Sequence, residues 1–106
     1  FAEAQAKKFG VRAPMVGHMG DGNFHVILPF DPKNEESYKK IRAFNDTLIR
    51  KALELNGTIT GEHGVGLHKK EYLLEQHPDS IPVMKSIKRT LDPNNIMNPG
   101  KIFDLN

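Results

Sequence analysis

The chain has 106 residues, 38% of them hydrophobic and 26% charged, and its fifteen Lys and Arg against thirteen Asp and Glu leave a net charge of +2. That length sets one small domain as the ceiling, and a charge so close to balance, with no basic run interleaved with aromatics, excludes nucleic acid as a partner. The absence of cysteine removes disulfides, thiolate nucleophiles and Cys-based zinc sites together, so any metal is held by His and carboxylate.

The chain opens at Phe1, without methionine, inside a helical pattern that runs to Phe9 and is closed by Gly10 after Lys7 and Lys8. It is therefore expected to be a piece of a longer protein. Residues 12–20 and 23–30 are short, β-rich and bounded by turn signals, and read as two strands. Asp31-Pro32-Lys33-Asn34 is a loop, with Asn34 as N-cap and Glu35 and Glu36 in the first helical turn. Tyr38, Ile41, Phe44, Leu48, Ala52 and Leu55 then recur at helical spacing until Gly57. Thr58-Ile59-Thr60 reads as a short strand and 67–76 as a short helix. A last helix opens near Asp79-Ser80 with Pro82 in its first turn, turns Met84, Ile87 and Leu91 inward, and stops at Pro93. The order α, β, β, α, β, α, α predicts an α+β fold, an antiparallel sheet covered by helices on one face. No apolar run approaches the roughly 18 residues of a membrane span, and no signal peptide opens the chain. Cytoplasm is the default location. A mitochondrial or membrane-peripheral one stays open, since a targeting region can precede Phe1.

Six of the nine glycines (Gly17, Gly20, Gly22, Gly61, Gly64, Gly66) and four of the five histidines (His18, His25, His63, His68) fall in 17–25 and 61–68, so the chemistry is sought there. In the first segment, Asp21-Gly22 between two β-rich runs signals a two-residue hairpin turn. That turn would set His18 directly opposite His25, close enough for both imidazoles to share one ion. The alternative is a plain turn with a cross-strand histidine pair at a wet edge. In the second, Glu62 and His63 stand side by side between Gly61 and Gly64, which let the backbone approach a ligand closely. Alone, Glu62 reads rather as a helix-start or solvent-facing carboxylate. Taken together, His18, His25 and Glu62 make a two-histidine, one-carboxylate set with coordination positions left open, and His63 stands beside it, unligated, as a general base. His68 and His77 read as surface residues.

Three motifs carry a family resemblance: Gly-His-Met-Gly-Asp-Gly-Asn-Phe-His at 17–25, Gly-Thr-Ile-Thr-Gly-Glu-His-Gly-Val-Gly at 57–66, and Leu-Asp-Pro-Asn-Asn-Ile-Met-Asn-Pro-Gly-Lys-Ile-Phe at 91–103. In this order they resemble the C-terminal region of FAD-linked oxidases, the group that includes D-lactate dehydrogenase, the glycolate oxidase flavoprotein subunit and D-2-hydroxyglutarate dehydrogenase. The resemblance implies that residues 1–92 are part of a ferredoxin-like substrate (cap) domain and that 93–106 form a tail returning to the flavin. The FAD-binding domain would lie upstream, outside this chain. It further implies a divalent ion, Zn or Mn, on His18, His25 and Glu62, His63 as the catalytic base, and Asn98 and Lys101 near the flavin. The implied activity is oxidation of a D-2-hydroxy acid to a 2-oxo acid with hydride transfer to FAD, by a protein that passes electrons to a further acceptor. From its short length the chain is expected to fold weakly alone or to lean on a partner copy as a homodimer. Ile27, where members of the 2-hydroxyglutarate type carry asparagine, favours a small substrate such as D-lactate. Glycolate oxidase and D-2-hydroxyglutarate dehydrogenase are the alternatives within the group; a metal-dependent hydrolase or a non-catalytic metal-binding module is the alternative outside it. The isolated chain is expected to have no dehydrogenase activity.

Overall fold

Good helix formers, three alanines among them, fill α1 (Ala2–Phe9), and Gly10 ends it in the left-handed conformation at φ 65°. Gly10 N–H bonds the Lys7 carbonyl at 3.1 Å and Val11 N–H the Ala6 carbonyl at 3.0 Å, so the helix closes in a Schellman motif, as Gly10 after Lys7 and Lys8 predicts. The computed structural model describes residues 1–106: four helices and a two-stranded antiparallel sheet, an α+β architecture, in two compact units, Phe1–Asn56 and Gly57–Asn106.

In the first unit, β1 (Met15–Val16) pairs with β2 (His25–Val26), and α2 (Glu35–Glu54) follows. The strands are far shorter than the β-rich stretches predict, because a two-stranded ribbon has no further strand to extend against. α2 begins where its cap predicts: Asn34 Oδ1 accepts from Ser37 N–H at 3.0 Å, and Glu35 and Glu36 face the positive end of the helix dipole. They also pair one turn on with Lys39 and Lys40, at 2.7 and 3.2 Å. The helix buries Ile41, Phe44 and Ile49, and Phe44, at 0% exposure, is the centre of the unit. Its ring meets Phe9 edge to face, with centroids 6.0 Å apart, which fixes α1 against α2. Tyr38 and Leu55, at the ends of the predicted stripe, are exposed, and Asn56 at φ 58° turns the chain one residue ahead of Gly57.

In the second unit, α3 (Lys70–Gln76) and α4 (Ile81–Leu91) bury Leu73 and Ile81, and Ile59 joins them from irregular backbone. Thr58-Ile59-Thr60 is not a strand. The two threonine hydroxyls bond each other at 3.1 Å and Lys69 Nζ reaches the Thr60 carbonyl at 3.3 Å, so side chains do what a ladder would have done. Helix α3 starts at Lys70 rather than at 67, after the left-handed Gly66. α4 carries Pro82 in its first turn and stops ahead of Pro93, which drives Asp92 out of helical conformation to φ −138°, ψ 69°. Its inward face differs from the predicted one. Ile81 is buried and Met84 half-buried, while Ile87 and Leu91 are 55% and 77% exposed.

Asp92 replaces them as the organiser of that end. Its carboxylate accepts from Ile96 N–H at 3.0 Å and Met97 N–H at 2.9 Å and from the Lys88 ammonium, which also donates to the Met97 carbonyl at 2.6 Å. The Lys88 hydrogen bond, with the two backbone donors, holds the Asp92 carboxyl below the ordinary carboxylate range against the opposing push of burial.

Phe44→Ala should cost about 3–5 kcal/mol of unfolding free energy in a denaturant titration, whereas Lys39→Ala, which removes one exposed pair, should cost about 0.5 kcal/mol or less. A carboxyl lowered on folding stabilises the folded state above the ordinary carboxylate range and loses that contribution as pH falls through its lowered pKa. Thermal melts of the wild type should therefore fall more steeply on acidification through that window than those of Asp92→Asn; parallel acid limbs would count against the Asp92 network.

Candidate functional site

The hairpin that carries His18 and His25 is held in one register over a longer run than its two ladder pairs, Met15 with Val26 and Val16 with His25. Ile27 N–H bonds the Pro14 carbonyl at 2.9 Å on one side, and Asn23 N–H bonds the His18 carbonyl at 3.2 Å on the other. Between them Gly17 lies against Phe24 so closely that a Cβ on Gly17 would sit 2.4 Å from Phe24 Cα and 2.6 Å from the Asn23 carbonyl oxygen. Only glycine permits this approach.

This register corrects the expected pairing. The two-residue turn at Asp21-Gly22 does not form; a 3-10 turn over Met19–Asp21 ends on Gly22 at φ 71°, and the loop takes four residues. Hence His25 faces Val16, and His18 faces Asn23. The slip is by two residues in the summed numbering, and an even slip keeps every side chain on its face. His18 and His25 therefore share a face on the diagonal of the ribbon, where neighbours lie roughly 7–8 Å apart. His18 is exposed and His25 half-buried.

Glu62 and His63 occupy a tight turn in the second unit, closed by His63 N–H on the Thr60 carbonyl at 3.2 Å and flanked by Gly61 and Gly64 at φ 52° and 78°. Both side chains stand in the open: His63 Nε2 is 3.5 Å from Glu62 Oε1, with the imidazole 70% and the carboxylate 53% exposed. The turn thus presents a carboxylate acceptor and an imidazole together, on backbone without side-chain bulk on either side.

Asn98 and Lys101 are exposed on a second turn, in which Lys101 N–H approaches the Asn98 carbonyl at 3.4 Å and Lys101 Nζ lies 3.5 Å from the Pro99 carbonyl. Directly after it, Ile102 N–H bonds the Gly66 carbonyl at 2.8 Å, which brings the tail beside the loop of Glu62 and His63. Asn98, Gly100 and Ile102 have φ of 45°, 71° and 70°. For a β-branched residue such as Ile102 this conformation is strained, by about 1–3 kcal/mol, and persists only where the surroundings impose it. Sequence reasoning passed over Asp92 and Ile102. Asp92 had a signal, an Asx residue ahead of Pro-Asn-Asn that can cap the turn behind it; Ile102 had none.

Residues 1–102 match the family described as FAD linked oxidases, C-terminal domain. The chain is 46% identical over 96 residues to a protein of Danio rerio named probable D-lactate dehydrogenase, mitochondrial, a stretch that is 90% of this chain and 19% of that protein. It is 41% identical over 99 residues to glycolate oxidase subunit GlcD of Bacillus subtilis, 92% of this chain and 21% of that one. With the D-2-hydroxyglutarate dehydrogenase of Stutzerimonas stutzeri it shares 42% identity over 90 residues, 82% of this chain and 19% of that one. The chain spans about a fifth of the length of these relatives. No helix is long and apolar enough to cross a membrane. With nearly its whole length matched, the chain belongs to the C-terminal domain family of the FAD linked oxidases.

Proposed function

We propose that this chain is the substrate-handling C-terminal part of a flavin-dependent dehydrogenase of small D-2-hydroxy acids, D-lactate first among them. The observation that carries the reading is the Glu62-His63 turn, a carboxylate and an imidazole exposed side by side on glycine-flanked backbone, in a family whose named relatives act on lactate, glycolate and 2-hydroxyglutarate. These three compounds share a hydroxyl next to a carboxylate, and that is the group the site has to hold.

In this reading His18, His25 and Glu62 would hold a divalent ion: two imidazoles and a carboxylate, in a chain with no thiolate, are donors of the kind that suit zinc or manganese. The amide of Asn98 and the ammonium of Lys101, both exposed, are donors that suit the ring carbonyls of a flavin. Bound there, the ion would supply Lewis-acid polarisation of the substrate hydroxyl and the flavin would supply the hydride acceptor. His63 takes the hydroxyl proton on Nε2, beside the Glu62 carboxylate, as the hydrogen on the same carbon leaves as hydride, giving the 2-oxo acid. Gly17 holds the two hairpin histidines in register, and the apolar side chain of Ile27, exposed on the same hairpin, offers nothing to a second carboxylate.

In the full-length flavoprotein, D-lactate should bleach the flavin band anaerobically, and faster than D-2-hydroxyglutarate does. Turnover of a substrate with the flavin unchanged would favour a hydrolase and sink this reading. His63→Ala should slow flavin reduction by about 10²–10⁴-fold with the flavin still bound. Gly17→Ala should lower the affinity for zinc or manganese by about tenfold or more, measured by competition with a chelator, because the hairpin has to open to admit the new Cβ.

A further inference from the structure

Three cations of the second unit converge on the end of the tail. Lys70 Nζ, from the first turn of α3, is 2.8 Å from Asp104 Oδ1; Arg89 donates to the Leu105 carbonyl; and Lys85 Nζ lies 3.5 Å from the Asn106 carbonyl. Lys85 and Arg89 are one turn apart on α4 and share a side of it. At the near end of the tail, Lys88 holds the Met97 carbonyl and Asp92 holds the Ile96 and Met97 amides. Residues 98–103 are thus tied down at both ends, and between the ties the bond from Ile102 N–H to the Gly66 carbonyl fastens the tail to the Glu62-His63 loop.

Stability alone gives a partial account of the far ties: Asp104 is 67% exposed, although the Lys70 side chain is only 25% exposed, and a pair open on one side contributes modestly to folding. The backbone between the ties gives a better account. Ile102 sits at φ 70°, a conformation its branched side chain does not keep without constraint, and in that conformation its N–H bonds the Gly66 carbonyl at 2.8 Å.

We propose that Lys70 and Arg89 are positioning residues: by fixing Asp104 and the Leu105 carbonyl they keep Ile102 on the Gly66 carbonyl, and so set where the Asn98–Lys101 turn stands beside the loop of Glu62 and His63. The proposal rests on the functional reading above in one respect, that this turn faces the flavin; the tether itself does not depend on it. Lys70→Arg preserves the tie to a carboxylate, and Arg89→Lys preserves a donor to a carbonyl, so both conservative variants hold the turn in place.

The test is made on the full-length flavoprotein with two readouts, amide hydrogen exchange over 101–103 and the rate of flavin reduction. Lys70→Glu and Asp104→Lys, singly, should speed exchange at the Ile102 amide about tenfold and lower the reduction rate with KM and melting temperature unchanged. The double charge reversal should restore both readouts, and Arg89→Met should repeat the single-variant pattern. Unchanged Ile102 exchange in Lys70→Glu and Arg89→Met overturns the proposal, and so does a double reversal that exchanges as fast as the single variants. Should no 2-hydroxy acid reduce the wild-type flavin while Ile102 exchange still follows the charge pattern, the functional reading fails and the tether stands.

Discussion

Glu62, His63, Asn98 and Lys101 all sit on backbone that belongs to no helix or strand, so their placement depends on a few left-handed φ angles rather than on a repeating hydrogen-bond pattern. Gly61 and Gly64 take those angles without cost. Asn98 and Ile102 carry side chains that resist them, and the second unit compensates with polar ties: Asp92 and Lys88 ahead of the turn, the Gly66 carbonyl after it, and Lys70 and Arg89 beyond. With so few buried apolar side chains in this unit, hydrogen bonds from charged groups to main-chain atoms carry much of the local order.

The same physics decides what was legible in the sequence. α2 could be read at its start and centre, since a twenty-residue helix repeats its apolar signal several times and has a side-chain cap at Asn34; Ile41 and Phe44 are buried as its stripe predicts, while Tyr38 and Leu55 are exposed and Ile49, outside the stripe, is buried. α4 could be bounded by Pro82 and Pro93 but not oriented. Periodicity selected Ile87 and Leu91 for the inner face, whereas the Lys88 and Asp92 network took the place beside the tail and left both exposed. Thr58-Ile59-Thr60 has strand composition, but three residues without a partner strand cannot form a ladder, and Ile59 is buried from irregular backbone instead.

The hairpin shows how a wrong turn can leave the facing of two side chains unchanged. Asp-Gly suits a two-residue primed turn, but it suits equally the end of a longer loop that closes on a left-handed glycine, and local sequence does not separate the two. What survives the error is parity. Both turns keep the sum of paired residue numbers odd, so His18 and His25 share a face in either; the change moves them from directly opposed to diagonal.

Gly17 then limits how this region can vary. Every other amino acid carries a Cβ, and here that atom would meet main-chain atoms of Asn23 and Phe24, which cannot swing aside as the tip of a flexible side chain can. No substitution at the position is conservative, alanine included. The neighbouring loop is different: at Gly20 a Cβ would meet nothing within 4 Å, so side chains can be exchanged there while the histidine-bearing register stays where Gly17 puts it.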